Sequence, residues 1–299
     1  MSGINTNRTN ISLPTSISSE IIQKTQEASA VMKLSRQIAL PGNGLTIPVI
    51  TSDPTAAWVD ETDEKPVSNP GLSTKVMRGY KLAVIEPFSN QFKRDYGALF
   101  DALIARLPGI LAQKFDNTVF GGTQAPGSDF DQLSDATGQS LASDVYGGLV
   151  AADTDIALHG GITSGYAISP QMKGILLSAL DKNDRPLFIN SVSEGAIPMI
   201  LGNPTYLTKG AFVAGSPATI GFVGDWSKAM YGIVEGIDIT FSDQATLTLG
   251  DNSTINLFQR NMFAVRAEIE IGFRADTSVF NKLTATSVPS VYWLFSSIR

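Results

Sequence analysis

The chain has 299 residues, of which 43% are hydrophobic and 17% charged, with a formal net charge of -6, one histidine and no cysteine. The lack of cysteine excludes disulfide bonds, thiolate metal sites and cysteine nucleophiles. The acidic net charge argues against a protein that binds nucleic acid through clustered lysine and arginine. Globular domains are usually about 25% charged, so the low charged fraction predicts that partners cover part of the surface.

The N-terminal segment is polar, and a short amphipathic helix is predicted after it. Residues 1–17 hold too little apolar area to fold alone and lack the basic start and apolar run of a signal peptide. Ser18 and Ser19 offer an N-cap for a helix with apolar positions at Ile21, Ile22, Ala28, Val31 and Leu34. We expect an arm that docks on another surface. No apolar run in the chain is long enough for a membrane-spanning helix.

A long extended hairpin is predicted between Leu40 and Tyr80. Two β-like runs, Leu45–Thr51 and Ala56–Asp60, are separated by turn signals, and an acidic stretch over 60–64 precedes Lys65. A hairpin of this kind has little core of its own and is marginal in isolation. We therefore expect it to lie on a neighbouring molecule.

A long helix is the strongest local prediction. Apolar residues recur at steps of three and four from Phe92 to Val119, the spacing of one helical face. Pro108 should kink this helix, because proline lacks a backbone donor and its ring clashes with the preceding turn. Gly121-Gly122 should end it.

The second half alternates two helices with several strands. The helices are predicted from Asp144 to Leu158 and from Ser169-Pro170 to Leu180. Strands are predicted at Ile220–Val223, Met230–Val234, Ile237–Phe241, Leu247–Leu249 and, as a long alternating run, Met262–Phe273. In that run the odd-numbered residues are apolar, whereas Arg266, Glu268 and Glu270 share the other face.

Catalytic and cofactor motifs are weak throughout the sequence. His159 is the only histidine and has no triad order around it, and the acidic stretch over 60–64 lacks the glycine and spacing of a calcium loop. Gly121-Gly122 and Gly160-Gly161 match neither a phosphate-binding loop nor a dinucleotide fingerprint. The sequence therefore predicts no cofactor, no metal and no enzyme; a hydrolase with an unrecognised Ser or Asp site is the alternative from another class.

The order of short motifs resembles the major capsid proteins of tailed bacteriophages with the Hong Kong 97-type fold, which encapsulin shells share. The resemblance spans nearly the whole chain. Its motifs are Leu13-Pro14, Leu45-Thr46-Ile47-Pro48-Val49, Ala57-Trp58-Val59 with Glu61 and Glu64-Lys65-Pro66, Phe120-Gly121-Gly122-Thr123, Ser169-Pro170, Leu180-Asp181, Arg185-Pro186-Leu187-Phe188, Leu201-Gly202-Asn203-Pro204, Gly224-Asp225-Trp226 and Val265-Arg266-Ala267-Glu268.

The resemblance implies an α+β capsid fold in four parts. These are an N-arm at 1–32, an extended E-loop at 33–80, a peripheral domain with a long spine helix at 81–142 and 233–299, and an axial domain at 143–232. Many copies would assemble as pentamers and hexamers of an icosahedral head that encloses double-stranded DNA. The family's scaffolding extension has no counterpart before the arm, so a separate scaffolding protein is implied, together with a portal, assembly in the host cytoplasm and no membrane.

The resemblance also implies a covalent reaction between subunits. Lys65 matches an E-loop lysine that attacks an asparagine of a neighbouring subunit, and Asn261 and Glu268 match that asparagine and its assisting glutamate. The amine must lose its proton to attack, and a desolvated carboxylate can accept it. The alternative is a salt-bridged Lys65 beside a solvated strand face, and strict alternation puts Asn261 and Glu268 on opposite faces of the strand.

Two further alternatives concern the assembled particle. An encapsulin, a bacterial nanocompartment with the same fold, would need an interior pocket for a cargo peptide, and the polar residues 1–17 favour the phage interpretation. The tail from Val288 to Arg299, with Tyr292, Trp293 and Phe295, is expected to pack on its own subunit or on a neighbour.

Overall fold

The structure is a computed structural model that describes residues 29–52, 54–62, 64–65, 67–69, 71–90, 109–180, 185, 187, 199–249 and 252–285. The predicted polar arm, the first part of the arm helix, the first part of the long helix with its kink at Pro108, and the C-terminal tail lie outside the described residues. Within the described residues, no helix is long and apolar enough to cross a membrane.

Four strands form the first sheet, in the order β1-β10-β13-β4. They are β1 (Arg36–Ala39), β10 (Ala229–Ser242), β13 (Met262–Ala275) and β4 (Tyr80–Ser89). The helix α1 (Ala30–Leu34) leads into β1, and the described part of the predicted long helix, α2, covers 109–119. Phe115 of α2 makes an edge-to-face contact with Phe273 of β13, with ring centroids 6.3 Å apart, so α2 covers one face of this sheet.

A second sheet of six strands has the order β5-β14-β9-β6-β8-β7. The strands are β5 (Thr137–Ser140), β14 (Phe280–Ala285), β9 (Ala218–Gly224), β6 (Gly165–Ile168), β8 (Asn203–Leu207) and β7 (Met199–Ile200). Its covering helices are α3 (Val145–Leu158) and α4 (Pro170–Ser178), which pack Leu149, Ile156 and Met172 against Ile220 and Val223. The two predicted helices are confirmed, and each begins as expected because Asp144 and Ser169 accept hydrogen bonds from the backbone N–H groups of Gly147 and Met172.

A hairpin connects β1 to β4 and extends from the first sheet. It consists of β2 (Leu45–Ser52) and β3 (Gly71–Met77), antiparallel from Leu45 opposite Met77 to Ser52 opposite Gly71. The hairpin is confirmed, but the prediction of a strand at 56–60 is wrong, because residues 54–60 are irregular and exposed. The run of apolar residues there has no partner strand, whereas Leu72, Thr74 and Val76 supply the alternation that pairs with β2.

The two strands predicted at 230–234 and 237–241 form one strand, β10. The pairing of β10 with β13 shifts register between Ile233 and Asp238, which marks a β-bulge and explains the break in the apolar pattern. The alternation predicted for β13 is confirmed, because Phe263, Val265 and Ala267 are buried and Arg266 is exposed. Two short strands, β11 (Thr246–Thr248) and β12 (Thr254–Asn256), pair with each other as a separate antiparallel hairpin.

Candidate assembly surfaces

The far end of the β2–β3 hairpin exposes large apolar side chains. Trp58 has 104% of its reference surface exposed, Val67 has 91% and Leu72 has 73%. The acidic residues Asp60 and Glu61 follow Trp58 closely in sequence and are exposed as well. We call residues 54–69 the hairpin tip. Apolar surface that rests on nothing in its own chain is typical of a surface that a partner covers.

The root of the hairpin is held by a buried arginine of β13. The Arg274 side chain is 10% exposed and pairs through Nη1 with Oδ1 of Asp131 at 2.7 Å and through Nη2 with Oδ1 of Asp129 at 2.9 Å. Its Nε donates to the carbonyl oxygen of Val76 in β3 at 2.7 Å. Because a planar guanidinium makes all three contacts at once, Arg274 fixes the angle at which the hairpin leaves the sheet.

Two glycines let this root lie directly on the first sheet. Gly232 of β10 and Gly272 of β13 are cross-strand partners. A Cβ at Gly272 would collide with the carbonyl oxygen of Arg78, and a Cβ at Gly232 would lie 2.7 Å from the Cβ of Leu40. Side chains at either position would push the hairpin root away from the sheet.

A second buried polar cluster holds the start of the described chain. Asp116 of α2 is 0% exposed and accepts hydrogen bonds from Oγ of Ser29 at 2.5 Å, from Oγ1 of Thr208 at 2.8 Å, and from the backbone N–H groups of Ala30 at 3.0 Å and Val31 at 3.3 Å. The carboxylate therefore caps the first turn of α1 from another helix. One side chain joins three segments far apart in sequence, and it sets where the N-terminal segment enters the fold.

Burial of Asp116 raises the pKa of its carboxyl above the ordinary value, because desolvation penalises the charged form; the hydrogen bonds from Ser29, Thr208, Ala30 and Val31 lower it in part. The described residues place no cation in an ion pair with it. Each carboxylate oxygen already faces one backbone N–H donor.

The open face of the first sheet brings like charges together. Glu235 lies opposite Glu270, and Asp238 lies opposite Glu268, across the β10–β13 ladder. Carboxylates directly opposite each other destabilise a sheet. Two cations offset this in part: Nζ of Lys81 is 3.8 Å from Oε1 of Glu268, and Nε of Arg266 is 3.5 Å from Oε2 of the same residue.

The three residues of the predicted crosslink lie apart within one chain. Lys65 is exposed in the hairpin tip. Asn261 lies in the turn before β13 with a φ of 52°, and Glu268 is on the open face of the first sheet. The six residue steps from Met262 to Glu268 span about 20 Å, so Asn261 and Glu268 cannot act on the same bond within one subunit.

Other predicted candidates show no catalytic surroundings. His159 is the C-cap of α3, with Nδ1 at 2.8 Å from the carbonyl oxygen of Asp155. The part of the chain that the structure describes contains no group of three His, Asp or Glu residues that could hold a metal ion.

Sequence reasoning missed Asp116 and Arg274. A signal existed for Asp116, because it lies at helical spacing between Ala112 and Val119 on the buried face of α2. Arg274 shares the parity of the outward-facing Arg266, Glu268 and Glu270, so alternation alone puts it outside. It is buried because the hairpin root covers that end of the sheet.

The fold has known relatives. The chain matches the family described as the phage capsid family over residues 10–278. It is 30% identical to the probable major capsid protein gp17 of Mycobacterium phage L5, over 87% of this chain and 85% of that protein. It is 23% identical to the major capsid protein of Staphylococcus phage 80alpha, over 88% of this chain and 82% of that protein.

The structural comparison agrees with the sequence comparison. A solved chain from Gordonia phage Cozz superposes with a TM-score of 0.71 at 20% identity, and the match covers 87% of each chain. At 20% identity this structural similarity shows only a shared fold, of mixed α+β type. Family membership rests on the family match, which covers residues 10–278 and so most of the sequence. This chain belongs to the phage capsid family.

Proposed function

We propose that this chain is the major capsid protein of a tailed bacteriophage and forms the shell of the virion from many copies of itself. Membership of the phage capsid family supports the assignment. The structural observation that carries it is the hairpin tip, whose Trp58 and Val67 side chains are almost fully exposed. Exposed apolar surface of this kind suits a subunit whose extended parts are covered by neighbouring copies.

As part of this proposal, we assign the described helices and strands to the four predicted parts of the capsid fold. The N-arm at 1–32 ends in α1, and the E-loop at 33–80 contains the β2–β3 hairpin. The peripheral domain at 81–142 and 233–299 contains α2 and most of the first sheet, whereas β1 of that sheet falls in the E-loop range. The axial domain at 143–232 contains α3, α4 and most of the second sheet, and it would contact its copies around the centres of pentamers and hexamers.

The proposed partners follow from the same assignment. The shell encloses double-stranded DNA without sequence-specific contact, and a net charge of -6 suits a wall that does not hold the packaged DNA tightly. A separate scaffolding protein and a portal complete the head, which assembles in the host cytoplasm. The compared relatives come from phages, and this favours a virus head over an encapsulin shell.

Particles purified from infected or expressing cells test the assignment. We expect closed shells of uniform diameter in electron micrographs, and particles from infected cells should carry nuclease-protected double-stranded DNA. Shells that hold a cargo enzyme and no DNA in both preparations would support the encapsulin alternative. Turnover of a small substrate by the monomer would support the hydrolase alternative.

Self-crosslinking through Lys65, Asn261 and Glu268 is a further part of the proposal and rests on the resemblance. The Lys65 amine would attack the side-chain amide carbon of Asn261 on another copy, form an isopeptide bond and release ammonia. Glu268 would accept the proton that the amine loses. Because Asn261 and Glu268 are far apart within one chain, the three groups must come from different copies.

Denaturing gel electrophoresis of boiled mature particles tests this reaction. Crosslinking gives a ladder of covalent multimers that the Lys65→Arg substitution abolishes, since a guanidinium is a poor nucleophile. Lys209→Arg, at an exposed lysine outside the hairpin tip and the first sheet, is the matched control and should leave the ladder unchanged. A single monomer band from wild-type particles would mean that Lys65 makes only non-covalent contacts.

A further inference from the structure

An open slot lies along the outer edge of the first sheet, between β4 and α2. Its volume is about 200 Å³, and its lining combines an apolar floor with a cationic rim. The apolar floor includes Leu82, Phe115, Phe130 and Ile271, and the charged residue at the rim is Lys114. β4 is the end strand of this sheet, so the slot opens beside an edge that no other described strand covers.

The chemistry of the slot matches the hairpin tip. Trp58 is a large apolar side chain that is fully exposed among the described residues, and exposed Asp60 and Glu61 follow it closely in sequence. An aromatic ring on the apolar floor would bring these carboxylates to the rim, where Lys114 of α2 is exposed. Aromatic anchors with charged neighbours at the rim are typical of protein interfaces.

The tip cannot reach the slot of its own chain. Leu45 pairs with Met77 at the root of the hairpin, and Ser52 pairs with Gly71 at its far end. The slot begins at Tyr80, only three residues beyond the root. The six residue steps of β3 put the tip about 20 Å from the root, so the occupant must come from a second copy.

A larger cleft beside the hairpin root fits the acidic tip less well. It measures about 340 Å³ and includes Lys75, Arg274 and the carboxylate of Asp276. Arg274 is already paired with Asp129 and Asp131, and Nζ of Lys75 is 3.4 Å from Oδ2 of Asp131. Charges that are neutralised in this way offer little attraction to a further carboxylate.

We propose that Trp58 of one copy inserts into the β4–α2 slot of a second copy, with Asp60 and Glu61 facing Lys114 at its rim. The inference rests on the proposed function, since it names the partner of the hairpin tip. Trp58 thereby links neighbouring subunits, and the slot is the acceptor.

Site-specific photocrosslinking in assembled particles tests the contact. Trp58 is replaced by p-benzoyl-phenylalanine in the full chain, labelled and unlabelled copies are mixed before assembly, and the crosslinked peptides are identified by mass spectrometry. The expected products join position 58 to residues 80–82 or 114–126 of a different copy. Phe258, which is 72% exposed and lies outside the hairpin, is the matched control position and should not yield these products.

Charge reversal gives a second readout. Asp60→Lys and Lys114→Glu should each reduce the yield of particles at least several-fold, and the double variant should recover much of it, because the reversed pair attracts again. Crosslinks from position 58 to its own chain, to other surfaces or to another protein would overturn the inference while the proposed function stands. If wild-type chains form no particles, both the proposed function and the inference are wrong.

Discussion

At the scale of single residues, Asp116 combines complete burial with four hydrogen-bond donors aimed at one carboxylate. Asp116→Asn should lower the free energy of unfolding by about 1–3 kcal/mol, because either orientation of the amide points its NH2 group at a backbone N–H of Ala30 or Val31. Chemical denaturation of the subunit measures this. Asp135→Asn, at an exposed carboxylate, is the matched control and should change stability by less than about 0.5 kcal/mol.

The loss of stability caused by Asp116→Asn should depend on pH in a definite direction. The raised pKa of Asp116 means that its contribution to stability is complete below the unfolded pKa and is lost as pH rises through the folded pKa. The Asn variant has no such loss. The stability difference between wild type and Asp116→Asn should therefore shrink as denaturation is repeated from about pH 4 towards pH 7. A difference that grows over this range would show that the folded pKa is lowered instead.

Arg274 gives a second prediction at this scale. Arg274→Ala should destabilise the subunit by about 1–3 kcal/mol, because it removes two charge-assisted hydrogen bonds, to Asp129 and Asp131. These carboxylates keep more exposed cationic partners, so the loss is smaller than for an isolated buried charge. Thermal unfolding reports the loss. Arg274→Lys keeps the charge but cannot make the three contacts of the guanidinium, so it should fall between wild type and the Ala variant. Arg266→Ala, at an exposed arginine of the same strand, should have little effect.

At the scale of elements, the β2–β3 hairpin should be separable from the folding of the subunit. Replacing residues 53–70 by Asn-Gly joins Ser52 to Gly71 through a two-residue turn that suits antiparallel strands. The root contacts of Arg274 remain, so the circular dichroism spectrum and unfolding midpoint should stay close to those of wild type. Particle formation should be lost. Normal particles from this variant would show that the hairpin tip has no part in assembly.

The open face of the first sheet gives another prediction about an element. Glu235→Gln should raise the stability of the isolated subunit by about 0.2–1 kcal/mol, since it removes the repulsion from Glu270 opposite. The gain should diminish as salt screens the charges, which denaturation at low and high ionic strength can measure. Glu61→Gln in the exposed hairpin tip is the control and should give no gain.

Elements with a local signal could be predicted from the sequence, and elements fixed by distant contacts could not. Asp144 and Ser169 mark the starts of α3 and α4 because a capping side chain acts within three residues. The bulge near Val234 divides the apolar pattern of β10, so a sequence pattern shows two strands where pairing with β13 makes one. The burial of Asp116 and Arg274 depends on residues more than 80 positions away, which no local pattern contains.

At the scale of the whole molecule, the chain has two well-packed sheets and a hairpin that extends from them. The sheets bury aromatic clusters such as Phe120, Phe222 and Trp226, which supply the stability of the subunit. The hairpin tip adds apolar surface with no core beneath it. A subunit built in this way is stable alone but leaves apolar surface uncovered until copies assemble, as the resemblance to tailed-phage capsids implies.

Cryo-electron microscopy of the purified, assembled protein tests this account most directly. We predict closed icosahedral shells in which density for each hairpin tip lies against a neighbouring subunit. A homogeneous monomer that forms no shells under any assembly condition, or shells in which each hairpin tip folds back on its own chain, would contradict it.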